Sequence, residues 1–172
     1  MKDRIQAKLL QLRSHLLPGE RQLGWMPIFN LGFLAFLFMP LLFSSLGVDY
    51  SLRVPDVPFA PTLFSLVVFL PLYFLLYRSS GVQAILCMLG IGSLALLLLP
   101  FNPFSNTYLI YAIAGAAFLD ARLLQRLAWV VLLLGAFLFE ILLLRVPVFI
   151  FAITAIISVA VFTSNHFQVE NE

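Results

Sequence analysis

The chain has 172 residues, of which 62% are hydrophobic and only 10% charged, with a net charge of +2 and a mean hydropathy of +1.05. A soluble domain of this length needs a charged coat, so the composition excludes one and requires lipid to solvate much of the surface. Long apolar runs such as Ala84 to Pro100 also exclude a transmembrane barrel, whose strands alternate, and leave an all-α polytopic membrane bundle.

Residues 1–24 read as a cytoplasmic interfacial segment. Ile5, Leu9, Leu12 and Leu16 recur at helical spacing among Lys2, Lys8 and Arg13, and Leu17, Pro18 and Gly19 end the run. No small-residue cleavage site follows an apolar stretch of signal-peptide length, so a cleaved leader is not expected. A basic amphipathic helix on the inner leaflet is the expected state, with pairing against its own copy as the alternative.

Residues 25–165 are expected to hold six transmembrane spans, each near the length of about 20 residues that crosses a hydrocarbon core. The first runs from about Trp25 to Gly47, with Asn30 between Pro27 and Gly32 and then Pro40, a pattern that predicts a kinked helix with a partly polar inner end. The second runs from about Pro61 to Tyr77 and should bend at Pro71, and Arg78 to Gly81 form a turn. The third covers about Val82 to Leu99 and is broken by Pro100, Asn102 and Pro103, because proline lacks a donor and restricts its predecessor. The fourth, about Phe104 to Leu119, is short. A turn with Asp120, Arg122 and Arg126 leads to the fifth, about Leu127 to Leu144, which Arg145 ends. Pro147 suits the first turn of the sixth, which ends near Asn165, and residues 166–172 begin a cytoplasmic linker. Five spans, without the fourth, is the alternative count.

Orientation follows from the basic residues, which are retained on the cytoplasmic side. With six spans, Lys2, Arg4, Lys8, Arg13, Arg21, Arg78, Arg122 and Arg126 share one side, against Arg53 and Arg145 on the other. Both termini are therefore expected in the cytoplasm. These basic residues are spread over the inner loops as topology determinants, so no nucleic-acid partner is implied.

Polar residues inside spans are the usual pointers to function, since an ionisable group in hydrocarbon costs about 2.5 kcal/mol or more unless paired or wet. Glu140 is the carboxylate within a predicted span. It lies about 6 Å of helix from the outer boundary, so it can reach the headgroups, near Arg145. Asn30 suggests an interhelical hydrogen bond, and Ala112 with Ala116, and Gly90 with Gly92 and Ser93, make surfaces for close helix approach. Cys87 reads as packing. Neither His15 nor His166 has neighbours at metal-ligand spacing, so no metal is expected. There is no HExxH, no phosphate-cradling glycine loop, no paired-carboxylate array and no membrane Ser with a His, so no catalytic residues and no cofactor are assigned to these residues.

The stretch Pro100-Phe101-Asn102-Pro103-Phe104-Ser105-Asn106-Thr107-Tyr108-Leu109-Ile110-Tyr111-Ala112 resembles the outer turn in the transmembrane sensor region of DesK-like sensor histidine kinases, where an Asn-Pro turn leads into an aromatic-rich helix start. Leu70-Pro71-Leu72-Tyr73-Phe74, followed by the polar turn at Arg78 to Gly81, looks like that family's second helix. The likeness covers about Pro61 to Ala117, and the rest matches by hydropathy alone. It implies a homodimeric receptor of the bacterial inner membrane, in contact with lipids. The candidate sensing and packing residues are Asn30, Pro40, Pro71, Asn102, Pro103, Tyr108, Tyr111 and Glu140. In the family, cytoplasmic phosphotransfer and ATP-binding domains with Mg²⁺ follow and act on a response regulator. This chain departs by stopping at Glu172, before any HDLHD-like phosphoacceptor box, so the expectation is the sensor part of a longer kinase. The expected stimulus is membrane thickness, lipid order, temperature or a membrane ligand.

A small transporter subunit is a rival class. It would need a polar midplane cavity or broken helices in matching positions, whereas Pro27, Pro40 and Pro71 all lie in the first half. A scaffold subunit of a membrane complex fits the same residues.

Overall fold

The computed structural model describes residues 30–40, 42 and 59–170. The interfacial segment 1–24, most of the first predicted span, Arg53 and residues 171–172 lie outside the described residues.

Every regular element among the described residues is helical. A 3₁₀ segment covers Leu31–Phe38, and α1 (Phe59–Arg78), α2 (Gly81–Leu98), α3 (Asn106–Ala116), α4 (Leu123–Leu144) and α5 (Val148–Glu170) follow, with a 3₁₀ turn at Pro103–Ser105 before α3. Four of these, α1, α2, α4 and α5, are long and apolar enough to cross a membrane. With 18 to 23 residues each, they measure about 27 to 35 Å at 1.5 Å per residue.

The fourth predicted span differs. Instead of one helix from Phe104 to Leu119, the chain makes the Pro103–Ser105 turn and an 11-residue helix, about 16 Å long, shorter than a hydrocarbon core of roughly 30 Å. From Thr107 to Leu119 every residue except Ile110 is buried. α5 runs without a break through Asn165 to Glu170.

Chain reversals are short. Ser79 and Ser80 link α1 to α2, and Gly81 opens α2 at φ +56°, a conformation glycine adopts without a Cβ penalty. Arg145 ends α4 in the left-handed region at φ 55°, with its N–H donating to the Leu142 carbonyl and the Val146 N–H to the Ile141 carbonyl. These two bonds form the Schellman closure that glycine usually makes. At the start of α4 the Gln125 side chain accepts the Arg122 N–H at 3.1 Å.

Side-chain pairings give the directions. Ser65 meets Tyr108 and Tyr77 meets Phe118, so α1 and α3 run the same way. Asn106 meets Thr154 and Asn165 meets the Ala114 carbonyl, so α5 runs with α3. The short links make α2 and α4 antiparallel to them. One end of the bundle thus gathers Arg78, Asp120, Arg122, Arg126, His166 and Glu170, and the other carries Thr62, Asn102, Asn106 and Arg145.

α3 can sit at the centre because its neighbours approach closely. Leu76 of α1 packs onto Gly115, and Leu133 of α4 and Ala112 of α3 both pack onto Gly92 of α2. Without a hydrophobic force between helices in lipid, such close packing and interhelical hydrogen bonds hold the bundle together.

Candidate functional site

The Asn-Pro turn is the centre of a buried polar cluster at the end opposite the arginines. Asn102 is fully buried, with an extended backbone at φ −144° that frees its amide to point inward. Its Oδ1 accepts the Phe104 N–H at 3.0 Å, capping the 3₁₀ turn, and Pro103 takes the first position there, where no donor is needed. Its Nδ2 donates to the Leu37 carbonyl at 2.9 Å and to Thr62 Oγ1 at 3.4 Å. One side chain therefore ties together the first segment, α1 and the turn into α3.

The bond to Leu37 has a local cause. In the 3₁₀ segment the Met39 N–H donates three residues back to the Phe36 carbonyl. The same spacing would pair residue 40 with Leu37, but Pro40 has no N–H. Asn102 supplies the missing donor.

Around this hub the polar side chains are paired. Ser65 Oγ donates to the Thr62 carbonyl at 2.7 Å and lies 2.9 Å from the Tyr108 hydroxyl. Ser105 Oγ donates to the Ala95 carbonyl at 2.8 Å, which clamps the turn onto α2. Asn106 Nδ2 donates to Thr154 Oγ1 at 2.8 Å, and Thr154 Oγ1 donates in turn to the Ile150 carbonyl at 2.7 Å. The Tyr111 hydroxyl donates to the Asn30 carbonyl, a second tie to the first segment. Asn30 takes part in this tie through its backbone carbonyl.

From the hub an aromatic column runs between α1 and α3 toward the arginine end. Phe69 lies 4.9 Å from Tyr108 and 5.1 Å from Tyr111 between ring centroids; Tyr73 lies 5.4 Å from Tyr111 and 5.0 Å from Tyr77; Tyr77 reaches Phe118 at 5.2 Å. Most of these pairs are tilted or edge-on, the arrangement that the ring quadrupoles favour.

The structure thus gathers Asn30, Pro40, Asn102, Pro103, Tyr108 and Tyr111 into one region. Pro71 and Glu140 stand apart. Pro71 is on the exposed face of α1, where its missing N–H leaves the Val67 carbonyl without its usual helical partner. Glu140 is half-buried on α4, and no ion pair joins it to Arg145 among the described residues.

Sequence reasoning missed Thr62, Ser65, Phe69, Tyr73, Thr154, Ser158 and Asn165, all buried. The signal for α5 was available. Thr154, Ser158, Phe162 and Asn165 recur every three or four residues and form one face against α3. Hydroxyl and amide groups with hydrocarbon side chains make this a site for holding helices in a defined arrangement. No three His, Cys, Asp or Glu side chains come together among the described residues. Comparisons with protein families, with curated proteins and with solved structures return no match.

Proposed function

We propose that this chain is the membrane signal-input bundle of a sensor histidine kinase of the kind its Pro100 to Ala112 stretch resembles. The observation that carries this reading is the course of α5. It runs unbroken from Val148 to Glu170, its polar face packs on the buried α3, and it reaches the arginine-bearing end of the bundle. A helix built this way transmits a displacement of α3 to whatever follows it.

In this reading the chain crosses the membrane six times, with α3 as the shielded fourth crossing and the 3₁₀ segment as part of the first. Arg78, Arg122 and Arg126 share one end while Arg145 lies at the other, which supports a cytoplasmic position for the first group and for both termini. The membrane is the bacterial inner membrane, the partners are lipids and a second copy of the chain, and no cofactor belongs to the bundle. ATP, Mg²⁺ and a response regulator belong to cytoplasmic domains downstream of Glu172. The stimulus is bilayer thickness: α1, α2, α4 and α5 match a normal bilayer, whereas the shorter α3 depends on its neighbours for cover, so a change in their tilt alters the packing around it.

The test begins with the coding sequence beyond Glu172, where a coiled coil leading to a histidine box is expected. The full polypeptide is then reconstituted in vesicles of short-chain and long-chain phosphatidylcholine, and autophosphorylation from labelled ATP is measured. Several-fold different rates are expected. A stop codon after Glu172 would sink the kinase reading, and equal rates in both bilayers would sink thickness as its stimulus.

A further inference from the structure

At the arginine end, α5 is tied to α4 by a chain of three side chains. Arg126 Nη1 lies 3.3 Å from His166 Nδ1, and His166 Nε2 lies 3.2 Å from Glu170 Oε1, one turn further along the same helix. The Phe162 ring lies parallel to the imidazole, with an interplanar angle of 9° and 6.0 Å between ring centroids.

The partners dictate the proton's place. A guanidinium has only donors and stays charged, so the imidazole nitrogen facing it must offer a lone pair. The ring proton then sits on Nε2, toward the Glu170 carboxylate. This arrangement exists only for a neutral His166. A second proton on the ring would set N–H against N–H and cation against cation at Arg126, while the attraction to Glu170 would grow.

We propose that His166 is a proton-sensitive catch on the last helix. When neutral, it latches the final turns of α5 to α4 through Arg126; when protonated, it lets go of Arg126 and pairs with Glu170 on its own helix. The hold on Arg126 is narrow, because its Nε is buried without a partner and its guanidinium meets α5 through Nη1. The release is also local. Asn165, one residue earlier, stays on the Ala114 carbonyl at 3.4 Å, so the movement is confined to the turns beyond it.

Protons can reach the site, since the His166 side chain is 12% exposed and Glu170 is 58% exposed. The surrounding charges are few. α3 carries no charged residue, α4 brings Arg126 with Arg122 just before its first turn, Asp120 lies in the turn between them, and Arg78 ends α1. Among the described residues, Glu170 is the carboxylate within ion-pair distance of the ring. The catch depends on these contacts alone and stands whether or not a kinase follows.

The experiment uses the full chain in nanodiscs, with Cys87→Ser as background and spin labels at Leu124→Cys and Phe167→Cys, both exposed positions. Electron–electron distances are measured between about pH 8 and about pH 5, the range in which histidine changes charge. One short distance is expected at the upper end, and a longer, broader population should grow on acidification. His166→Gln, whose side-chain carbonyl accepts from Arg126 at every pH, should keep the short distance throughout. Arg126→Leu should show the longer population already at the upper end. A wild-type distribution that ignores pH, a pH response that survives in His166→Gln, or a short distance retained in Arg126→Leu each overturns the proposal.

Discussion

Asn102 shows how much one buried side chain carries in a membrane protein. Its amide serves the Leu37 carbonyl, Thr62 and the Phe104 N–H from a fully buried position. Asn102→Leu is of similar size but leaves those groups without it, so it should lower stability by about 1 to 3 kcal/mol, the penalty of unsatisfied buried groups. Reversible unfolding in mixed detergent micelles would read this loss; an unchanged midpoint would show that the hub is dispensable. Arg145 makes the opposite case. It closes α4 at φ 55°, where an L side chain is strained by roughly 1 kcal/mol or more, so Arg145→Gly should raise stability by about 0.5 to 1 kcal/mol, read as a higher unfolding midpoint.

At the scale of elements, α3 is the informative one. Gly115 faces the side chain of Leu76, which is 1% exposed and would have to shift within the packed interior, so Gly115→Ala should destabilise by about 1 to 3 kcal/mol through overpacking. Gly135 of α4 faces open space, so Gly135→Ala should be neutral or stabilise by about 0.5 to 1 kcal/mol. The same unfolding assay compares the two, and equal effects would mean that α3 is not closely held. The positions of α1, α2, α4 and α5 were legible in the chain, because long apolar runs and the breaks at Arg78, Pro100 and Arg145 delimit them directly. The nature of α3 was not. Hydropathy reports that a residue avoids water and is silent on whether lipid or protein surrounds it, so Phe104 to Leu119 read like the other spans although most of it is buried inside the bundle. The hub was half legible: Asn102, Pro103, Tyr108 and Tyr111 stood out by type and spacing, whereas Thr62, Ser65 and Thr154 looked like ordinary weakly polar residues of apolar helices.

Across the whole molecule, the two ends differ in chemistry. Arg78, Arg122, Arg126, His166 and Glu170 mark one, and buried hydroxyl and amide groups mark the other. Single cysteines at Ser80 and Asp120 should react with an impermeant maleimide from the same side of the membrane, and one at Pro147 from the opposite side. Labelling of all three from one side would overturn the antiparallel arrangement. A switch of such a bundle from 1:99 to 99:1 takes about 5.5 kcal/mol, more than any one interhelical bond supplies, so several contacts to α3 would have to respond together.

Composition and the order of apolar runs already establish a helical membrane protein, because backbone groups in lipid leave few other solutions and a helix meets that demand within its own segment. Which helix lies in the middle, which carbonyl Asn102 serves and which arginine His166 meets are relations between residues 40 to 65 positions apart. They arise only when close packing at Gly92 and Gly115 brings the helices together, and no local pattern in the chain encodes that distance.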